Sequence, residues 1–182
     1  MASLYQGPIR LVLFDVDGVL TDGSLYLDGQ GERLKAFNVR DGLAISLLRA
    51  HGIHAGILSG KSSEALDYRI RQLKFDVAVT GRLEKQEAYT TIKRERGLDD
   101  AQIAYVGDDV VDLPLAGRVG CFYAPSDAHA LVLEAADHVV AACGGRGVAR
   151  DVAEHVLLAA GLSLQQAYRP LIAQWERYDA VQ

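Results

Sequence analysis

Residues Ile9 to Gly23 read IRLVLFDVDGVLTDG, an unbroken apolar run that delivers two carboxylates, Asp15 and Asp17, into a glycine-containing loop. Side chains two apart in extended chain point the same way, so both acids can address one site where the strand ends. A second segment, AYVGDDVVD, repeats the arrangement with Gly107, Asp108 and Asp109 after an apolar strand, and Asp112 follows four residues past Asp108. If the two strands are neighbours, these carboxylates converge at one sheet edge. Their mutual repulsion then asks for a hard, oxygen-loving cation such as Mg2+. A calcium-binding EF-hand loop does not fit, because its sixth and twelfth positions need Gly and Glu where this chain has Leu20 and Tyr26.

A third apolar run ends in ILSGKSS, which offers the Ser59 hydroxyl and the amides of Gly60 and Lys61 to an anion. Lys85, near the start of a helix expected from Glu84, can supply further positive charge. Carboxylates, a divalent cation, a hydroxyl and a lysine at one edge suit phosphoryl transfer. The metal and the lysine would offset the repulsion between an attacking carboxylate and a phosphate dianion. One aspartate would form an aspartyl-phosphate, and the other would protonate the leaving alcohol and then deprotonate water.

The elements that position these groups follow a repeating pattern. Apolar runs at Leu11 to Phe14, Ala55 to Leu58, Val77 to Val79, Ile103 to Val106, Val119 to Tyr123 and His138 to Ala141 read as strands. Between them, Asp41 to Gly52, Ser63 to Leu73, Glu84 to Gly97 and Asp127 to Ala136 carry apolar residues at helical spacing. Short, continuously apolar strands separated by helices predict an α/β fold with a parallel sheet covered on both faces. Ligands of such sheets bind at the carboxyl edge, where the acids fall. Ser24 to Phe37 reads as a β-hairpin around Asp28-Gly29-Gln30-Gly31, with Leu25 and Leu27 on one face and Tyr26 on the other. Beyond Gly147 the chain reads as two helices, the second containing Pro170, with Tyr168, Trp175 and Tyr178 as packing residues.

The 182 residues are expected to form a single domain, because no repeat, low-complexity tract or linker breaks the pattern. A formal net charge of −5 argues against nucleic acid or an anionic membrane as partner. No secretory signal or membrane-length apolar run is present, and Cys121 and Cys143 have no spacing for a disulfide or zinc site. The expectation is a reduced, cytoplasmic protein.

DVDGVLTDG, LSGKSS, Lys85 and GDDVVD, in this order, resemble the four signature motifs of the haloacid dehalogenase superfamily of phosphatases. More narrowly, DVDGVLTDG followed by a hairpin, FNVRDG, GDDVVDLP, the SDAH segment and GGRG is similar to the family of 3-deoxy-D-manno-octulosonate 8-phosphate phosphatases, from about Ile9 to Val152. The resemblance implies a Rossmann-like sheet without a cap domain, Mg2+ dependence, and a homotetramer in which hairpins pack against neighbours. It implies Asp15 as nucleophile and metal ligand, and Asp17 as acid/base that also gives the metal its backbone carbonyl. Ser59 is implied as the phosphate-binding hydroxyl, Lys85 as the charge-stabilising lysine and Asp108 as the side-chain metal ligand. Asp109 and Asp112 are implied to orient water and lysine from just outside. The substrate implied is a small phosphorylated sugar acid of lipopolysaccharide precursor synthesis.

One position departs from that family, whose TGR becomes Ser59-Gly60-Lys61 here. Lysine lacks the planar fork with which arginine grips a carboxylate. Nonulosonate 9-phosphate phosphatases, acting on sialic-acid-like sugars, share the scaffold and are the nearest rival. Arg40 in FNVRDG and Arg146 in GGRG are candidates for gripping the sugar carboxylate. A non-catalytic oligomerisation module of the same fold is disfavoured by the intact acids. A receiver-type phospho-switch is disfavoured because Lys85 precedes Asp108 here, whereas its lysine comes last. The hairpin carries apolar groups on both faces and predicts a protein partner, since an isolated hairpin is marginal in water.

Overall fold

The structure is a computed structural model that describes residues 5–179, with side chains described through 176. Six parallel strands form one sheet: β1 (Leu11–Phe14), β4 (His54–Leu58), β5 (Val77–Val79), β6 (Ile103–Val106), β7 (Cys121–Ala124) and β8 (His138–Val139). Their order is β5-β4-β1-β6-β7-β8, so the first strand lies between the strands that end at Ser59 and at Asp108. A separate antiparallel pair, β2 (Tyr26–Asp28) and β3 (Gly31–Leu34), forms the hairpin.

Strand periodicity splits the core into two layers. Val12 and Phe14 face one side with Ala55, Ile57, Ala104 and Val106, and pack with α1 (Val39–Ala50), α2 (Glu64–Leu73), α5 (Val148–Ala159) and α6 (Leu164–Asp179). Leu11 and Leu13 face the other side with Ile103, Tyr105 and Phe122, and pack with α3 (Lys85–Arg96) and α4 (Ala130–Ala135). Both faces are covered, which is why the strands read as continuous apolar runs rather than alternating ones. Among the described residues no helix is long and apolar enough to cross a membrane.

Several boundaries differ from the sequence reading for local reasons. α1 begins at Val39 because Asn38 caps it, accepting the Arg40 amide at 2.9 Å. Asp41, expected to open that helix, instead reaches across to α5 and accepts the amides of Ala149 (2.9 Å) and Arg150 (3.3 Å). β7 starts at Cys121 rather than Val119, since Gly117 turns the chain at φ +72° and Gly120 passes against the Ala101 backbone. β8 stops at Val139, and the Ala142 amide then turns to Asp151. α4 is shorter than expected because Asp127 is used to hold the Gly144 amide. Residues Val110–Leu115, with Pro114 inside, form a 3-10 helix that the sequence reading left unassigned. Tyr168 packs on the core and its hydroxyl donates to Glu154, Trp175 is 46% exposed, and Tyr178 lies outside the described side chains.

Candidate active site

The carboxyl ends of β1, β4 and β6 bring the acidic loops together. The Asp15 amide donates to the Val106 carbonyl at 2.9 Å, so the nucleophile candidate sits where β1 and β6 part. The loop beyond turns tightly around the Val16 carbonyl, which accepts the amides of Val19, Leu20 and Thr21 and the Thr21 hydroxyl. Gly18 occupies the left-handed region at φ +83° and lies against Asp108. Gly144 backs this loop, where an added Cβ would lie 2.3 Å from the Gly18 carbonyl oxygen. That contact gives the GGRG segment a structural reason to contain glycine.

Lys85 is the buried cation of the site. Its ammonium lies 3.0 Å from Asp15 Oδ2 and 2.5 Å from Asp112 Oδ1, and donates to the Tyr105 hydroxyl at 2.9 Å. Burial works to depress its pKa, but Asp15 and Asp112 more than offset that and hold it above the ordinary lysine value. Burial pushes the Asp15 carboxyl up to about 6, with Lys85 opposing and Asp112 adding to the shift. Asp108 is pushed up to about 8, chiefly by burial and then by the neighbouring charges of Asp15 and Asp112.

Carboxyl oxygens of Asp15, Asp108 and Asp112 lie within 4.8 Å of one another, the spacing of a cation site. Asp112 is not free for that duty. Its Oδ1 meets Lys85 and the Tyr105 hydroxyl, and its Oδ2 accepts the amides of Asp108 (3.0 Å) and Asp109 (3.2 Å). Asp108 Oδ1, by contrast, is buried without a hydrogen-bond partner among the described residues. A buried oxygen of that kind, beside a second carboxylate of raised pKa, fits a divalent cation held by Asp15 and Asp108.

Ser59 follows β4, buried, with its amide donating to Val79 and its Oγ accepting the Lys61 amide at 3.3 Å. Ser59 is among the residues that line the cleft. Asp109 is exposed and caps the 3-10 helix through the Val110 amide at 2.7 Å. The cleft, about 340 Å³, is lined by Asp15, Asp17, Ser59, Gly60, Lys61 and Lys85, together with Asp108 and Asp109. A cavity of about 430 Å³ between β5 and α3 contains none of the clustered aspartates.

Arg40 and Arg146 do not line the catalytic cleft. Both are exposed, Arg40 on a separate groove with Arg69 and Arg150. The sequence reading missed Lys35 and Tyr105. Lys35, just past the hairpin, is ion-paired with Asp17 and with Glu32 at 2.8 Å, and its side chain is 1% exposed. The signal for it was a lone lysine in the apolar stretch LKAF. Tyr105 stood out only as the one hydroxyl in the aliphatic strand IAYV.

A parallel α/β sheet with paired aspartates after its first strand, a serine after the next strand, a buried lysine and a second acidic loop defines the class: the haloacid dehalogenase fold, here without a cap domain. The chain is 43% identical over 155 residues to a 3-deoxy-D-manno-octulosonate 8-phosphate phosphatase, KdsC, of Haemophilus influenzae, covering 85% of this chain and 86% of that protein. The cobalt-bound structure of the deoxy-D-mannose-octulosonate 8-phosphate phosphatase of Haemophilus influenzae superposes with TM-score 0.83 at 40% identity, over 88% of this chain and 96% of that one. A Moraxella catarrhalis 3-deoxy-D-manno-octulosonate 8-phosphate phosphatase, in complex with magnesium, phosphate and the sugar acid, gives TM-score 0.82 at 30% identity, over 92% and 93%. No family model matches the chain. The chain belongs to the 3-deoxy-D-manno-octulosonate 8-phosphate phosphatase family of the haloacid dehalogenase superfamily.

Proposed function

We propose that this protein is a Mg2+-dependent phosphatase that hydrolyses 3-deoxy-D-manno-octulosonate 8-phosphate to the free sugar acid and phosphate. The observation that carries the reading is the meeting of Asp15, Asp108 and Lys85 in one cleft with the Ser59 hydroxyl. Family membership supplies the substrate class, because the named relatives act on that sugar phosphate.

In the proposed reaction, Ser59 and the amides of Gly60 and Lys61 hold the phosphoryl oxygens, and Lys85 offsets their charge beside Asp15. The Asp15 carboxylate attacks phosphorus as the bond to the sugar oxygen breaks, and Asp17 gives its proton to that oxygen. Asp17 then takes a proton from water, the water oxygen bonds to phosphorus, and the bond to Asp15 breaks to release phosphate. A divalent cation held by Asp15, Asp108 and the Asp17 backbone carbonyl would supply charge neutralisation at the transferring group. Asp112 holds Lys85, and Asp109 caps the adjoining turn.

The whole chain is read as one phosphatase domain working in the cytoplasm as a homotetramer. Support for assembly comes from the hairpin, where Leu25, Tyr26, Leu27 and Leu34 are 45 to 66% exposed. The nonulosonate rival rests on Lys61, which lines the cleft where the family has arginine. Arg40 and Arg146 stay candidates for the sugar carboxylate only if a neighbouring subunit brings their faces to a cleft.

Turnover of 3-deoxy-D-manno-octulosonate 8-phosphate, nonulosonate 9-phosphates and hexose phosphates, compared with Mg2+ and with chelator, tests the proposal. The octulosonate is expected to be preferred and turnover to need the metal. Preference for hexose phosphates would overturn the sugar-acid reading.

A further inference from the structure

Asp17 sits in a loop, not in the strand that fixes Asp15, so something else has to set the direction of its carboxylate. Among the described residues, the side chain that meets its carboxylate is Lys35, at Oδ1. The Lys35 side chain is 1% exposed while that of Asp17 keeps 22%, so the ammonium is the more buried partner of the pair. Glu32 Oε1 lies 2.8 Å from the same ammonium, with its side chain 12% exposed. Burying an ammonium is costly unless it is paired, and removing one partner of such a set leaves an uncompensated charge. This arrangement joins the end of β3 directly to the loop of the acid/base.

A general acid works only within hydrogen-bond reach of the atom it protonates, and small misplacements are costly. With Oδ1 taken by Lys35, Oδ2 is the oxygen left to exchange a proton with the cleft. We propose that Lys35 is a positioning residue for Asp17, fixing its carboxylate so that Oδ2 faces the leaving oxygen and making proton transfer depend on the root of the hairpin. The inference rests on the reading of Asp17 as acid/base. It adds that the hairpin serves the chemistry of its own subunit, whatever else it packs against.

The test is leaving-group dependence in kcat/KM, which covers the steps up to departure of the alcohol. Alkyl phosphates such as 3-deoxy-D-manno-octulosonate 8-phosphate need a proton on the leaving oxygen, whereas 2,4-dinitrophenyl phosphate does not. Lys35→Met, which keeps the aliphatic stem, is expected to lose ~10²-fold on the alkyl substrate and less than about 5-fold on the aryl one, within the usual worth of acid/base catalysis. Lys35→Arg keeps a cation beside Asp17 and is expected to recover most of the selective loss, and Lys35→Gln stands in should Lys35→Met fail to fold. A general packing defect would lower both substrates together. Equal losses on the alkyl and aryl substrates in Lys35→Met or Lys35→Gln, or no loss on either, would overturn the inference. Asp17→Asn in the same assay separates the two ideas. If it is selective for the alkyl substrate while Lys35→Met is not, only the positioning role falls. If Asp17→Asn shows no selectivity, the acid/base reading falls and takes the inference with it.

Discussion

A methyl group built on Gly18 would fall 1.9 Å from Oδ2 of Asp108, so the loop carrying Asp15 and Asp17 touches the second acidic loop with no room for a side chain. Gly18 also holds φ +83°, a conformation that L side chains rarely adopt. Gly18→Ala is therefore expected to displace Asp108 and to cost about 1–3 kcal/mol in backbone strain. Turnover should fall by ~10²-fold, the scale of misplaced catalytic groups. Denaturant unfolding and a Mg2+ titration of activity check this. Unchanged metal dependence at full turnover would mean that the two loops are not coupled.

Lys85 balances two acids that are themselves buried, Asp15 and Asp112. Lys85→Met leaves two uncompensated carboxylates facing each other across the space the ammonium filled. Breaking a buried pair of this kind costs about 3–5 kcal/mol. The variant is expected to lose turnover and to unfold at lower denaturant. Asp112→Asn should be milder for stability, because the amide still offers one oxygen to Lys85 or to the amides of Asp108 and Asp109. Denaturant midpoints of the two variants, measured side by side, decide the order.

Asp15 and Asp108 are pushed up to about 6 and about 8, mainly by burial. The folded chain thus holds protons that the unfolded chain would release at its ordinary carboxylate values, near 4. By linkage, metal-free stability should fall as pH rises from about 4 to about 8 and level off above that. Mg2+ draws both groups into the ionised form, so binding near pH 7 is expected to release close to one proton, mostly from Asp108. Calorimetry in buffers of different ionisation enthalpy measures that number directly. Release should vanish above about pH 9, where Asp108 is already ionised.

Much of this architecture was legible because strand burial and site chemistry leave strong local marks. The runs at Leu11 and Ile103 are apolar on both faces, and each ends in acids at the sheet edge. Their adjacency, a condition in the sequence reading, is met by the β1 to β6 pairing. What stayed hidden depends on contacts between distant segments. Asp41 looked like a helix opener for its own segment, yet its partners lie 108 and 109 residues away on α5. Lys35 and Asp17 are 18 residues apart, joined only once the hairpin folds back. Charge type and spacing cannot encode such meetings, because a lysine in a hairpin is ordinarily a solvated one.

The hairpin exposes Leu27 at 66% and Leu34 at 65%, while among the described residues β2 and β3 pair only with each other. Covering those side chains with a second copy is worth about 25 cal/mol per Å² of apolar surface removed from water. Leu27→Lys combined with Leu34→Lys is expected to reduce the particle mass in sedimentation without loss of helical circular dichroism. An unchanged mass would mean that the hairpin does not carry the proposed assembly. Since Lys35 adjoins Leu34, turnover in the dissociated variant should be read on both alkyl and aryl phosphates.

Asp41 offers the last test, away from the catalytic cleft. Its Oδ1 accepts the amides of Ala149 and Arg150 at the start of α5, an N-terminal cap supplied by another helix, while Oδ2 is buried with no hydrogen-bond partner among the described residues. Burial pushes its pKa up to about 6 against the opposing pull of those amides. Because the folded value exceeds the unfolded one, ionising Asp41 costs stability progressively between about pH 4 and pH 6, and by a constant amount above that. Asp41→Asn keeps an oxygen for the amides and removes the charge, so its stability relative to the parent should improve by about 2 kcal/mol from pH 4 to pH 7. Asp41→Ala removes the cap as well and should cost about 1 kcal/mol at pH 4, where the parent carboxyl is neutral. Denaturant unfolding across pH separates the two effects. If the Asn variant tracked the parent at every pH, Asp41 would titrate at its ordinary value and the seam between α1 and α5 would be better solvated than its burial indicates.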